Sequence, residues 1–298
     1  MIPRLTLLHP ERLRSRRPAT LALSCAALSL TLACSLVSRP GETPADTPLP
    51  PAEPTAPEIV DTVSPAATTE SPVGAEITCG GVHFWLNPAI AAGATCETIP
   101  AVSESDMVGP WEVGPEHVRL TLEGYVLPST FHAPQIFVYP TADFASMNEN
   151  AGAVIDRLQS FLAAPPATYE EGIPFLPPFN AAQMLRAQVS FLDFQNGTGV
   201  RFLSLYGQAY RIVNSHELFY TFQGLTDDGT HYVAMVLPVS HPSLPATGDI
   251  PPDDLEAFDA NFPVYVAETE AALNAQPNGS FSPDLGLLDT LVQGFLAQ

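Results

Sequence analysis

Between residues 77 and 140, short runs of apolar residues alternate with polar ones, a pattern typical of β-strands. We predict a first strand over 77–86 and a second over 117–127, in which apolar residues stand two positions apart. A third, short apolar strand is predicted over 134–140. The pattern thus predicts that the folded region begins with strands.

The spacing of apolar residues then changes from two to three and four. This spacing places apolar side chains on one face of a helix of about 20 residues. The set consists of Phe144, Met147, Ala151, Val154, Ile155, Leu158, Phe161 and Leu162.

Two hairpins are predicted next. The first joins 184–194 to 200–208 across the segment QNGTG, and the second joins 217–225 to 231–239 across TDDGT. Asn-Gly and Asp-Gly favour tight hairpin turns because these residues tolerate positive φ.

The chain closes with helices. One apolar stripe begins near Pro252 and Asp253, and Pro263 is expected to kink or split that helix. The stripe consists of Leu255, Phe258, Phe262, Tyr265 or Val266, and Leu273. A last short helix over 282–296 is predicted to have Ser282 as its N-cap and Pro283 at its first helical position.

Strands, a helix, two hairpins and final helices together predict an α+β fold: a mainly antiparallel sheet with two hairpins, covered by helices. We expect one globular domain over 75–298. This order of elements loosely resembles the Mog1/PsbP-like fold, which includes bacterial lipoproteins, and the resemblance implies a non-enzymatic binding or assembly role. The segment 218–242 also resembles segments of uncharacterised bacterial extracytoplasmic lipoproteins, which implies no particular activity.

The N-terminus has the pattern of a secretory signal. Five arginines lie within the first 18 residues, and residues 19–33 are uncharged and mostly apolar. That apolar run is shorter than the roughly 20 residues of a membrane-spanning helix. We therefore predict a signal peptide over 1–33.

The run ends in TLAC, which resembles the lipobox of bacterial lipoproteins at Ala33 and Cys34, whereas Thr31 and Leu32 depart from the usual order. The resemblance implies lipidation of Cys34, an anchor in the lipid bilayer and a location on the extracytoplasmic face of the cell envelope. An ordinary secretion signal and an uncleaved anchor are the alternatives.

Residues 34–74 are predicted to form a disordered, Pro/Thr-rich tether. Eight prolines and no aromatic residue occur between Arg39 and Ser71, so this segment cannot bury enough apolar surface to fold. Proline-rich chains favour extended conformations, which would let the tether reach on the order of 100 Å.

The folded region is strongly acidic. All 11 basic residues are arginines, and the signal peptide holds five of them and one glutamate. The remaining chain has 6 basic and 31 acidic residues, a net charge of −25. Such a charge repels nucleic acid, so we expect no nucleic-acid partner.

Two cysteines lie in the predicted domain, Cys79 and Cys96. An even pair in an oxidising compartment favours a disulfide. A metal site is the alternative, although the paired Cys-x-x-Cys spacing is absent.

Catalytic and cofactor motifs are absent from the sequence, including G-x-S-x-G, H-E-x-x-H and the glycine-rich phosphate loop. One polar group stands out, consisting of His216, Glu217, Asp227, Asp228, His231 and His241. The hairpin register separates its histidines, so we expect neither a metal site nor a cofactor. We expect a solvated turn at the two aspartates, and a hard cation bound there is the alternative.

The connection over 165–179 is long for a loop and carries three aromatic residues, Tyr169, Phe175 and Phe179. We predict that it borders an apolar pocket or a partner-binding patch; ordinary packing against the sheet is the alternative. The function expected from the sequence is therefore a non-catalytic binding or assembly module for a small apolar ligand or a protein partner. The other candidate is an extracytoplasmic hydrolase with an unrecognised site.

Overall fold

The computed structural model describes residues 74–106, 108–250 and 254–298. The predicted signal peptide, Cys34 and the predicted tether up to residue 73 lie outside the described residues. Within them, none of the helices is both long and apolar enough to cross a membrane.

The described chain is an α+β fold, as predicted, and its main sheet has seven antiparallel strands. In spatial order these are β3 (Gly93–Ile99), β4 (His117–Glu123), β5 (Gln135–Pro140), β11 (His231–Pro238), β10 (Phe219–Thr226), β8 (Gly197–Ser204) and β7 (Ala187–Phe194). Two smaller sheets accompany it. One consists of β1 (Ala75–Cys79), β2 (Val82–Leu86) and β12 (Leu296–Ala297), and the other of β6 (Ala182–Gln183) and β9 (Tyr206–Gly207).

The first predicted strand is instead a hairpin. Strands β1 and β2 pair antiparallel, and the chain reverses at Gly80 and Gly81, whose φ values are 55° and 79°. Residues other than glycine rarely adopt this left-handed region, and two consecutive glycines make the reversal inexpensive. The prediction of one strand over 77–86 was therefore wrong. Strand β3, which is mostly polar, was not predicted.

Both later hairpins are confirmed. Strands β7 and β8 pair around Gln195 and Asn196, and β10 pairs with β11 around a turn in which Gly229 has a φ of 70°. The first turn is shorter than predicted because Gly197 and Gly199 belong to β8. A Cβ on Gly197 would lie 2.3 Å from the Leu225 carbonyl oxygen, so this glycine provides space for neighbouring backbone.

The predicted long helix is two helices, α1 (Thr141–Met147) and α2 (Glu149–Ala163). They meet at Asn148, whose backbone is extended and whose Oδ1 accepts a hydrogen bond from the Ala151 amide at 3.1 Å. Its side-chain amide also donates to the carbonyls of Pro110 and Val113. Capping by a buried asparagine therefore outweighs continuation of the helix.

Helix α3 (Leu255–Asn274) continues through Pro263, so the predicted split does not occur. Phe262 and Val266 on either side of Pro263 are buried, and this packing offsets the one missing backbone hydrogen bond. Helix α4 (Leu285–Gln293) begins after Asp284, whose Oδ1 accepts from the Gly286 amide at 2.7 Å.

The prediction of Ser282 as the N-cap of that helix was wrong. The backbone of Ser282 exchanges two hydrogen bonds with Ser240, at 2.8 and 3.0 Å. This pairing holds Ser282 in an isolated β-bridge, so the helix starts later.

The main sheet separates two hydrophobic cores. Helix α2 and the 165–179 loop pack on one face, where the core includes Phe161, Phe175 and Phe219. The small β1–β2–β12 sheet and helices α3 and α4 cover the other face, where the core includes Phe84 and Tyr220. Alternate residues of β10 and β11 therefore enter opposite cores.

A buried ion pair joins the second face to α4. Arg201 of β8, 5% exposed, lies 3.2 Å from Asp289 through Nε and Oδ1, and the hydroxyl of Tyr220 donates to the same oxygen at 3.0 Å. Burial raises the pKa of Asp289, and Arg201 opposes that shift. If α4 moved away, each partner would be left as a buried charge without its counterion. The pair therefore holds α4 at this position on the sheet.

Cys79 and Cys96 lie at disulfide distance, with Cα atoms 6.5 Å apart, in agreement with the predicted disulfide. The bond joins β1 of the small sheet to β3 at the edge of the main sheet. Closing a loop of this size contributes about 3 kcal/mol in the chain-entropy model.

Candidate functional site

The three aromatic residues of the 165–179 loop have different surroundings. Phe175 is 7% exposed and packs in the core against Tyr206, with ring centroids 4.7 Å apart. Phe179 is half-buried and lines a cleft of about 500 Å³. Tyr169 lies in a separate cavity of about 460 Å³ beside α2. Core packing, the alternative considered for the loop, therefore describes Phe175, whereas Phe179 borders a cavity.

The aromatic cleft is the name we give to the cavity at Phe179. It lies beside the face of the sheet that α2 and the 165–179 loop cover, and its rings come from four separate segments of the chain. Its main lining side chains are Trp111, Phe131, His132, Phe179, Tyr206 and Arg211.

Packed rings form the floor of the aromatic cleft. The imidazole of His132 lies parallel to Phe179, with centroids 5.4 Å apart and 4° between planes. The same imidazole also meets the buried Phe219 edge-on, with centroids 4.7 Å apart and 71° between planes. Phe131 meets His132 edge-on at 4.9 Å. Aromatic pairs in such arrangements each stabilise a structure by about 0.5–1.5 kcal/mol beyond area burial.

Two rings of the aromatic cleft project into solvent. Trp111 is 43% exposed and Phe131 is 62% exposed. The ring of Trp111 folds over Gly109, where a Cβ would come within 2.5 Å of it. The side chain of Asn148 holds the loop that carries Trp111, because it donates to the carbonyls of Pro110 and Val113. The exposed position of Trp111 is therefore built into the fold.

His132 is a neutral imidazole in the aromatic cleft. Desolvation by its ring neighbours, together with the nearby His216, lowers its pKa from 6.5 to about 4. Neither ring nitrogen makes a hydrogen bond to any of the described residues, so both are open to a ligand. At neutral pH one nitrogen donates and the other accepts.

Arg211 brings a guanidinium to the rim, but its charge is compensated. Its Nη1 pairs with the carboxylate of Glu217, which is 8% exposed. Glu217 also accepts a hydrogen bond from the Asn214 side chain at 2.6 Å. The cleft therefore has no uncompensated charge among these residues.

Two glutamines hold the loop that carries Phe179. The amide of Gln223, fully buried on β10, accepts from the Leu176 N–H at 2.8 Å and donates to the Leu176 carbonyl at 3.0 Å. Gln183 makes the same two bonds to Ile173, at 2.8 and 3.2 Å. Each side chain thus makes the pair of backbone hydrogen bonds that a neighbouring strand would otherwise make to this loop.

The polar residues chosen from sequence do not assemble into a metal site. Among residues 74–106, 108–250 and 254–298, no three His, Cys, Asp or Glu side chains come together in a geometry that could hold a metal ion. The carboxylate of Asp228 accepts from the Thr230 amide and from the hydroxyls of Thr226 and Thr230, which lowers its pKa to about 2. Asp227 and Asp228 thus belong to an ordered, exposed turn.

His241 has hydroxyl neighbours, which is the feature that a serine hydrolase would require. Its Nδ1 lies 2.7 Å from Ser243 Oγ and its Nε2 3.1 Å from Ser280 Oγ. The Ser280 hydroxyl donates to the Pro277 carbonyl at 2.7 Å, so it accepts from His241 and is not activated by it. His241 is 5% exposed, and its Nδ1 accepts from both the hydroxyl and the backbone amide of Ser243, two residues further along the chain.

Sequence reasoning missed Trp111, Phe131, His132 and Tyr206. An aromatic residue among turn-forming residues drew attention to the 165–179 loop. The same signal is present in two other stretches, GPWEVGP over 109–115 and STFHAP over 129–134. What the sequence could not supply is that these loops meet.

Substituting Gln223 with leucine should destabilise the protein by at least about 3 kcal/mol, because the change leaves the Leu176 backbone groups and the Tyr232 hydroxyl buried without partners. Urea unfolding measures the difference. Gln159→Leu, at an exposed position of α2, is the matched control and should change stability by less than about 0.5 kcal/mol. Similar stabilities for the two variants would contradict the role of Gln223 in holding the 165–179 loop.

His132 should titrate with a midpoint near pH 4, measured from its ring signals by NMR. Its pKa is lower in the folded state than in the unfolded state, where it is near 6.5. The unfolded state therefore binds more protons between these values, and stability should fall as pH drops from about 6.5 to about 4. His132→Gln should remove this part of the pH dependence. A midpoint near 6.5 would show that the ring is solvated.

Comparison with models of protein families, with curated proteins and with solved structures finds no match for this chain. The resemblance to extracytoplasmic lipoproteins and to the Mog1/PsbP-like fold therefore stays a prediction. The choice of the aromatic cleft as the candidate site therefore rests on the geometry of its residues alone.

Proposed function

We propose that this protein is a non-catalytic binding module that holds a small ligand with an apolar face in the aromatic cleft. The observation that supports the proposal is the cluster of rings, the exposed Trp111 and Phe131 together with Phe179, around a neutral imidazole whose nitrogens bond to no described residue. No serine, cysteine, threonine or acidic residue is among the described residues that line this cleft. Its side chains are suited to contact and hydrogen bonding.

Binding would be driven by covering the exposed rings. Burial of apolar surface contributes about 25 cal/mol per Å², so covering most of two large rings can supply several kcal/mol. The cleft is held by Gln223, Gln183 and Asn148 before any ligand arrives. Such preorganisation lowers the entropy cost of binding.

The proposed setting is the extracytoplasmic face of a membrane, to which lipidated Cys34 would attach the domain through the 34–74 tether. The support is the N-terminal pattern, namely arginines, a 15-residue uncharged run and a cysteine at its end. A tethered binding module of this kind samples ligands some distance from the bilayer. The hydrolase alternative has less support, since the pair of His241 and Ser243 is not among the residues that line the aromatic cleft and His241 is 5% exposed.

Replacing Cys34 with serine should release the full chain from the membrane fraction, because no acyl chain could then be attached. Cell fractionation with immunoblotting measures the distribution. Cys25→Ser, which changes the other cysteine of the apolar run, is the matched control and should stay with the membrane. Equal membrane association of all three forms would contradict lipidation at Cys34.

Substituting Trp111 with alanine should weaken binding of the neutral apolar dye N-phenyl-1-naphthylamine at least tenfold, because the dye loses one ring of the cleft. Fluorescence titration of the folded full chain gives the Kd, and circular dichroism checks the fold. Phe191→Ala removes an aromatic residue of similar exposure, 38%, that does not line the cleft.

We expect the Phe191→Ala variant to bind the dye like the unmodified protein. Phe175→Ala should lower stability by about 3 kcal/mol or more, because the ring is a core residue. Equal dye affinity for Trp111→Ala and Phe191→Ala would contradict the assignment of the site.

A further inference from the structure

The aromatic cleft and its neighbouring surface indicate what kind of ligand is bound, and we propose that it is an uncharged oligosaccharide. The inference rests on the proposed binding function and names its ligand class. It is carried by three features: how open the cleft is, which polar groups accompany its rings, and how aromatic residues continue beyond it.

The first feature is the exposure of the rings. Pockets for compact apolar ligands bury 70–90% of the ligand surface. Here Trp111 and Phe131 remain 43% and 62% exposed, so a ligand on them keeps one side in water. A pyranose ring has this character, since one face presents C–H groups to an aromatic ring while the hydroxyl rim stays hydrated.

The second feature is a set of planar polar groups without partners. Neither the ring nitrogens of His132 nor the side chain of Asn180 makes a hydrogen bond to a described residue. Gln208 donates to the Asn180 carbonyl at 2.9 Å, which orients its amide and leaves its oxygen free. These groups include donors and acceptors, which together match hydroxyls that both donate and accept. A purely apolar ligand would cover them without pairing them, at a cost.

The charge of the site favours a neutral sugar over an acidic one. His132 is uncharged at neutral pH, and Glu217 compensates Arg211. The chain after residue 33 has a net charge of −25, which repels anions. A cationic ligand would call for a carboxylate, and no acidic residue is among the described lining residues of the cleft.

The third feature is continuity along the surface. Gln208 lines the aromatic cleft, and Tyr210, two residues further along the same loop, lines a second cavity of about 470 Å³ against α3. Tyr210 is 48% exposed and stacks on Phe262 with centroids 4.0 Å apart and 13° between planes. Two residues span at most about 7 Å, so the two cavities lie close together along this loop. This spacing suits an oligomer better than a single sugar.

The experiment uses saturation-transfer NMR on the full chain in a detergent without a sugar headgroup. The probes are cellohexaose, hexa-N-acetylchitohexaose, maltohexaose, their trimers, oligogalacturonate as an acidic sugar, and N-phenyl-1-naphthylamine as the apolar dye. A Trp85→Phe variant leaves Trp111 as the only tryptophan, so its emission reports contact at the cleft.

We expect at least one neutral hexasaccharide to bind, to shift Trp111 emission and to displace the dye. Trp111→Ala should weaken its binding at least tenfold, and Phe191→Ala should leave it unchanged. Tyr210→Ala should weaken the hexamer at least threefold more than the trimer.

Other outcomes separate the two proposals. Binding of the dye at Trp111 without binding of any neutral sugar would overturn the saccharide inference and keep the binding function. Tighter binding of oligogalacturonate than of the neutral sugars would overturn the uncharged class. If neither dye nor sugar bound at Trp111, both proposals would fail.

Discussion

Strands β10 and β11 are buried on both faces along nearly their whole length, and the other layers are arranged around that hairpin. A strand with two buried faces must find apolar partners above and below. Helix α2 and the 165–179 loop supply one side, and the small sheet with α3 and α4 supplies the other. A polar residue on such a hairpin must then find a partner inside the protein, and Gln223 does so in the backbone of Leu176. The requirement to satisfy one buried amide therefore places the loop that carries Phe179.

The same logic connects the core to the surface at Trp111. Asn148 ends α1, caps α2 and bonds the carbonyls of the loop that presents Trp111. The loops that carry Trp111 and Phe179 are thus held by buried amides, each of which makes hydrogen bonds within the protein. Side chains held in this way lose little entropy when a ligand covers them. Because loops that meet in this cleft come from distant parts of the chain, the site depends on the whole fold.

Local patterns predicted the fold well where one residue type decides the outcome. The hairpins around Asn196 and Gly229 followed from turn chemistry, and the α+β class followed from the change of apolar spacing. The hairpin at Gly80 and Gly81 was missed although its turn signal is local. Other predictions failed where tertiary contacts decide. Asn148 breaks an otherwise regular helical pattern because its side chain has buried partners, and Ser282 pairs with Ser240 instead of capping a helix. Phe179 was found because an aromatic residue in a loop is unusual, but its meeting with His132 is a long-range contact that no local pattern encodes.

The most direct test of a ligand in the aromatic cleft is native mass spectrometry of the full chain purified from the membranes of its own host, beside its Trp111→Ala variant. We predict an added small-molecule mass on the unmodified protein that is lost from the variant. A bare protein mass for both, or the same added mass on both, would contradict binding in the cleft.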